Sequence, residues 1–173
     1  MIAAILRIIA ADTVDPYASS NASFIYAYQR QQHSATRQAC SVWLKNRVYK
    51  SYALEVSRKT NQTAIVESER EALRINILPL LAASPSRSIS LQLAHTLRSI
   101  VAHDFPSKWS SLVGEIKKLL ASGNVSEVHA GCLAALEAVR AFKYGLHYGK
   151  IKACLIPLIS FKGSVRGAIS FQG

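Results

Sequence analysis

SPSRSISLQLAHTLRSIVAHDFPSKWSSLVGEIKKLL, residues Ser84 to Leu120, holds two amphipathic helices and the break between them in one run. In its first half Ile89, Leu93, Leu97, Ile100 and Val101 recur at spacings of three and four, the period of one helix face. Ser84 followed by Pro85 offers an N-cap and a first-turn proline. Pro106 lacks an amide hydrogen and disfavours helical geometry at Phe105, so the first helix must stop near His103. Asp104 or Ser107 can then accept from the free amides of the next helix. Beyond the break Trp109, Leu112, Val113, Ile116, Leu119 and Leu120 form a second stripe, and Ser122-Gly123-Asn124 offers a left-handed C-cap. The short connection predicts an antiparallel helical hairpin.

Other segments follow the same period. Ile2, Ile5, Leu6 and Ile9 mark a helix that starts at Met1 with no cap, and Asp12 to Pro16 ends it. Residues 17 to 33 show no lasting pattern and read as an irregular insertion whose aromatics, Tyr17, Phe24, Tyr26 and Tyr28, pack where they can. From Ser34 to Tyr52 the stripe is Cys40, Trp43, Leu44 and Val48, widened by Ala39, Val42 and Tyr49 to a second flank that also holds Asn46. An asparagine buried there needs backbone partners on the neighbouring helices. Arg37, Lys45, Arg47 and Lys50 form a solvated basic face.

A polar link, Ser57 to Thr63, leads to a helix with Leu73, Ile77, Leu80 and Leu81 as its stripe and Pro79 near its end. Glu67, Glu69 and Glu71 at its amino end suit the helix dipole, and Glu67 can pair with Arg70. After the hairpin, Asn124 to Glu127 resembles a capping box opening a helix striped by Val128, Cys132, Leu136, Val139 and Phe142. The expected helices are near 2–11, 35–53, 65–82, 86–103, 107–121 and 125–143. Helices beginning near Pro85 and Val125 lie about forty residues apart with one between them, the period of HEAT-type pairs. The fold class is therefore all-α, a right-handed superhelix of stacked helix pairs, truncated at both ends.

A chain of 173 residues with 50% hydrophobic and 18% charged residues has a globular composition, and disorder of the whole chain is excluded. The net charge of +11 raises a polyanion as partner. Its cations are scattered, however, and residues 145 to 173 contribute Lys150, Lys152, Lys162 and Arg166 with no acid. Cys40, Cys132 and Cys154 are far apart, which argues against a disulfide framework or zinc site and for a reducing compartment. Met1 to Asp12 has no basic region before its apolar run, unlike a signal peptide, and no apolar run reaches the length of a membrane span.

Three segments carry a resemblance. RQACSVWLKNRVYKSY is similar to the importin-beta amino-terminal helix that reads close to RQAA-x-x-x-LKN, and EREALRINILPLL and AHDFPSKWSSLV resemble the helices after it. The chain is identified on these residues with the importin-beta (karyopherin-beta) family, nearest to the importins seven and eight, over Ser34 to Tyr144 and weakly over Ile2 to Asp15. Leu44, Lys45, Asn46, Asp104, Pro106 and Trp109 are the motif residues, with structural roles. The resemblance implies HEAT-type repeats over residues 1–144, interrupted by 17–33, and an atypical basic and apolar tail over 145–173.

It further implies a nuclear transport receptor that shuttles between nucleus and cytoplasm, binds Ran-GTP through its amino-terminal repeats, carries cargo proteins and meets nucleoporins through repeats this chain lacks. In this family the second helix of each pair lines the concave side, and Arg70, Arg74, Lys117 and Lys118 are candidates for partner contact by position. The family's first helix is missing, 17–33 interrupts it and the tail departs from it, so the expectation is an incomplete or wrongly spliced chain.

No enzymatic reading competes. His103-Asp104 with Ser107 is a helix break rather than a triad, and His95 and His129 lack a second ligand at i+4. No glycine-rich phosphate loop is present, so any GTP belongs to the partner. Neither a cofactor nor a membrane is expected. The alternative is a basic helical-repeat module that binds nucleic acid, which rests on charge alone and is disfavoured.

Overall fold

The computed structural model describes residues 1–10, 23–53, 57–59, 61–84 and 86–142, with side chains from residue 33 onward in the second stretch. Six helices organise them: α1 (Ile2–Ala10), α2 (Ser23–Ser51), α3 (Glu67–Ala82), α4 (Arg87–Asp104), α5 (Leu112–Leu120) and α6 (Val125–Phe142). No strand occurs among the described residues, and the fold is an all-α helical repeat. No helix among them is long and apolar enough to cross a membrane.

The helices fall into successive pairs, α1 with α2, α3 with α4, and α5 with α6. The second members form a continuous row, α2 packing on α4 and α4 on α6, while α1 packs on α3 at the other side. This separates the stretch read as one hairpin. Helices α4 and α5 do not pack along each other; α5 packs on α6 and belongs to the next pair. The turn between them is not a surface loop, since Phe105 and Trp109 are both buried in the common core. Anchored twice in this way, it carries the chain from one pair to the next.

Local chemistry explains most boundaries. Phe105 is extended at φ −82° and ψ 140°, as the following proline requires, and α4 stops one residue before it. Its start differs from the expectation: Ser86, not Ser84, is the N-cap, accepting from the Ile89 amide at 3.3 Å. Asp104 serves the next segment through its backbone carbonyl, which accepts from Lys108 and Trp109. Its side chain is engaged elsewhere, and α5 begins only at Leu112, without a side-chain cap. Asn124 does cap α6, accepting from the Ser126 amide at 2.9 Å. No glycine among the described residues has positive φ, so α5 ends without the left-handed cap.

Helix α2 corrects two readings. It begins at Ser23, so residues 23 to 33, expected to be irregular, are helical; residues 17 to 22 of that stretch lie outside the described residues. Once a helix exists, each further residue adds a hydrogen bond without needing an apolar face, and periodicity cannot detect such an extension. Second, its covered side is a single line, Arg37, Ser41, Leu44, Val48 and Ser51, which meets α1 and α4. The presumed second flank is open: Tyr49 is 71% exposed and Trp43 37%. Asn46 is exposed too and needs no buried partner.

In α6 the buried side is Ala130, Gly131, Ala134, Glu137, Ala138 and Phe142, so of the expected stripe Phe142 is buried, Val128 and Val139 are half-buried, and Cys132 and Leu136 are exposed. Small residues let the helices approach closely. A Cβ placed on Gly131 would lie 3.0 Å from the Leu120 side chain and 3.1 Å from that of Leu119, whereas one on Gly114 would meet nothing within 4 Å. Gly131→Leu should therefore cost about 1–3 kcal/mol through overpacking, while Gly114→Ala should stabilise by about 0.5–1 kcal/mol by removing backbone freedom. Urea unfolding of both variants measures this, and equal effects would contradict the close α5–α6 approach.

Candidate functional site

The three segments that carry the family resemblance converge in space. Tyr52 follows the last turn of α2, Glu67, Arg70 and Arg74 lie on one face of α3, and His103 and Asp104 end α4. Asp104 is 2% exposed and Tyr52 1%. The Tyr52 hydroxyl donates to Asp104 Oδ2, and Arg74 Nη1 donates to the same oxygen at 2.6 Å. Arg74 Nη2 also reaches Glu67 Oε1 at 2.9 Å, and Lys108 Nζ reaches Glu67 Oε2 at 3.2 Å. Arg70 lies over the Tyr52 ring, 5.1 Å from its centroid, and donates through Nε to the Ile65 carbonyl at 3.0 Å. His103 stacks on the Tyr52 ring, with ring centroids 5.9 Å apart.

A buried carboxylate without a counter-charge would be costly, and here one arginine and one phenol satisfy it. Burial pushes the Tyr52 phenol well above its ordinary value of 10.0, and the hydrogen bond to Asp104 adds to the shift. The hydrogen bond from Arg74, with Lys108 beside it, holds the Glu67 carboxyl below its ordinary value. Protein surrounds the Asp104 carboxylate, so the cluster clamps helices of adjacent pairs together rather than presenting a charge to a ligand.

Three smaller joints work alike. Arg37, 6% exposed and thus not part of a solvated basic face, donates to the Ile9 carbonyl at 3.0 Å and ties α2 to the end of α1. The start of α1, expected to be uncapped, is capped from a distance: Glu69 of α3 accepts from the Met1 ammonium and the Ile2 amide, both at 3.2 Å. Between α4 and α6, buried Glu137 pairs with Arg98 at 3.4 Å and Arg140 at 2.7 Å. Sequence reading passed over Glu137; an acid inside an otherwise apolar turn, three residues before Arg140, was its signal.

Of the motif residues, Leu44, Asp104 and Trp109 are buried, Lys45 is half-buried, and Asn46 and Pro106 are exposed. The Trp109 indole donates to Glu115 Oε1 at 3.3 Å, closing the turn onto α5. Of the four partner candidates, Arg70 and Arg74 sit on α3 and Lys117 and Lys118 in the last turn of α5. Arg70 and Arg74 serve the cluster; Lys118 is exposed beside a groove of about 600 Å³ lined by Ile75, Leu78, Pro79 and Leu119. Among the described residues no three His, Cys, Asp or Glu side chains come together as metal ligands.

Comparison with known proteins gives three kinds of similarity. The chain is 30% identical over 114 residues to Importin-8 of Danio rerio, covering 62% of this chain and 11% of that protein. It is 33% identical over 90 residues to Importin-9 of Drosophila melanogaster, covering 52% and 8%. It is 26% identical over 116 residues to Exportin-2 of Homo sapiens, covering 67% and 12%. The chain thus spans about a tenth of the length of the curated relatives it matches. No family model and no solved structure matches it.

The raised phenol pKa makes the cluster testable. Folding holds the proton on Tyr52 above the pH at which the unfolded chain releases it, so its contribution is complete below pH 10.0 and is lost as pH rises beyond that value. Against Tyr52→Phe, which cannot ionise, the native chain should lose stability above pH 10 with an extra slope of up to about 1.4 kcal/mol per pH unit. Parallel stability curves for the two proteins would put the hydroxyl in water.

Proposed function

We propose that this chain, related by sequence to the importin-beta family of nuclear transport receptors, serves as repeats of a receptor that binds Ran in its GTP state and takes part in carrying cargo proteins into the nucleus. The observation that carries this reading is the run of similarity to importins and exportins, transport receptors rather than enzymes. It supports a protein that shuttles between nucleus and cytoplasm. The paired helices suit such work, since a row of second helices gives a partner many small contacts on successive units.

Arg70 and Arg74 are held by the internal cluster, which moves the proposed Ran-facing surface to the exposed sides of α2, α4 and α6, where Lys45 and Lys50 of α2 project. The groove beside Lys118, between α3, α5 and the start of α6, is left to other partners. Nucleic acid gains no support, because Arg37, Arg70 and Arg74 are committed within the fold.

A graft tests the proposal. Residues 34 to 142, put in place of the matching stretch of Importin-8, should leave Ran binding intact and selective for GTP over GDP, because only the GTP state orders the switch segments such a surface reads. Binding that ignores the nucleotide, or no binding by a folded graft, would overturn it. Binding of a mixed-sequence RNA that falls steeply with salt would favour the nucleic-acid reading instead.

A further inference from the structure

Ser84 is left without the role its sequence suggests. Ser86 caps α4 in its place, and the Ser84 hydroxyl donates to the Ser86 carbonyl at a long 3.3 Å. The Ser84 amide reaches the Leu81 carbonyl at 3.4 Å. Both distances exceed those of firm hydrogen bonds, so Ser84 is weakly held between α3 and α4. Its described neighbours take no part in the apolar core: Ala83 and Arg87 are exposed, and Ser86, like Ser84, is half-buried. Ser84 borders a cavity of about 370 Å³ that it shares with Ser86, Arg87, Ser90 and, from α6, His129. Arg87 and His129 are exposed side chains able to donate into this space, and among the described residues no acid lines it.

The sequence here is selective. Ser84-Pro85-Ser86-Arg87 sets a proline directly after a hydroxyl and an arginine three places on, and Pro85 is the one proline of five in the chain that follows a serine or threonine. A residue with no amide hydrogen at the next position and a cation at the third are the features by which proline-directed protein kinases choose a hydroxyl. We propose that Ser84 is a phosphorylation site for a kinase of this class, and that its phosphate docks in the cavity against Arg87 and His129. In the transfer, Ser84 Oγ gives its proton to the kinase's base and bonds to the γ-phosphorus of Mg-ATP, while the bond from that phosphorus to the β,γ-bridging oxygen breaks and ADP leaves. The product carries a charge of about −1.5 to −2 and three acceptor oxygens, which the Arg87 guanidinium and the His129 imidazole meet. Ser84 follows α3, Arg87 opens α4 and His129 lies near the start of α6, so the phosphate ties one pair to the next. The inference is independent of any binding to Ran.

The full chain, incubated with a cyclin-dependent kinase and radiolabelled Mg-ATP, should take up a single phosphate that mass spectrometry places on Ser84. Ser84→Ala should abolish the label and Pro85→Ala should slow it at least about tenfold, with circular dichroism showing that both variants keep their helices. No label on the folded chain, label only after unfolding in urea, or label that survives Ser84→Ala would overturn the inference. Docking is read by phosphorus NMR of the labelled chain. The phosphate should give up its second proton at lower pH in the folded chain than in urea, and His129→Ala should narrow that difference. Equal titration in the two states would leave the phosphate in water and overturn the docking.

Discussion

Asp104 is the constraint on which the rest of the structure depends. Its carboxylate is buried where the end of α4 meets α2 and α3, and Arg74 and Tyr52 both donate to it there. Each donor comes from a different helix or its end, so satisfying one charge fixes the position of three chain segments. A pair of this kind adds little net stability over an apolar substitute, because desolvation offsets much of the attraction. Losing one partner is another matter, at about 3–5 kcal/mol for an uncompensated charge. What the cluster supplies is register: an apolar α3–α4 contact could slide by a turn, whereas a carboxylate that needs two donors cannot.

The same device recurs on a smaller scale along the array. Glu69 fixes the start of α1 and Arg37 its end, while Glu137 joins α6 to α4 through Arg98. Apolar stripes such as Leu73, Ile77, Leu93, Leu97 and Ile100 supply the gross drive to stack, and are interchangeable in register. Polar joints choose among the stackings. Between α5 and α6 a steric device does this work, with Gly131 and alanines bringing the two helices within side-chain contact of Leu119 and Leu120.

Periodicity made the helices legible wherever large apolar residues face the core. The stripes of α3 and α4 are buried as read, that of α1 apart from half-buried Ile5, and the break at Phe105 follows from the proline after it. It misled where size and burial part company. In α6 Cys132 and Leu136 are exposed while Ala130, Gly131, Ala134 and Ala138 are buried, because close packing, not hydrophobicity, selects residues there. In α2 Trp43 and Tyr49 drew the eye to a flank that no helix covers. The hairpin reading failed for a related reason: a short connection between two amphipathic helices looks the same whether it closes a pair or joins one pair to the next. Only the burial of Phe105 and Trp109 inside the turn tells them apart. Asp104 could be singled out from the sequence, but its donors could not, since Tyr52 and Arg74 lie 52 and 30 positions away.

Native-state hydrogen exchange of the full chain tests the central claim most directly. If the Asp104 cluster joins the first two pairs, the amides of Arg47 to Tyr52, Arg70 to Arg74 and Ile100 to Asp104 should open with one common free energy, and Asp104→Asn should lower all three sets together. Exchange of Arg47 to Tyr52 at the rate of a frayed helix end, with Ile100 to Asp104 still protected, would show that the pairs open independently and that the cluster does not hold them.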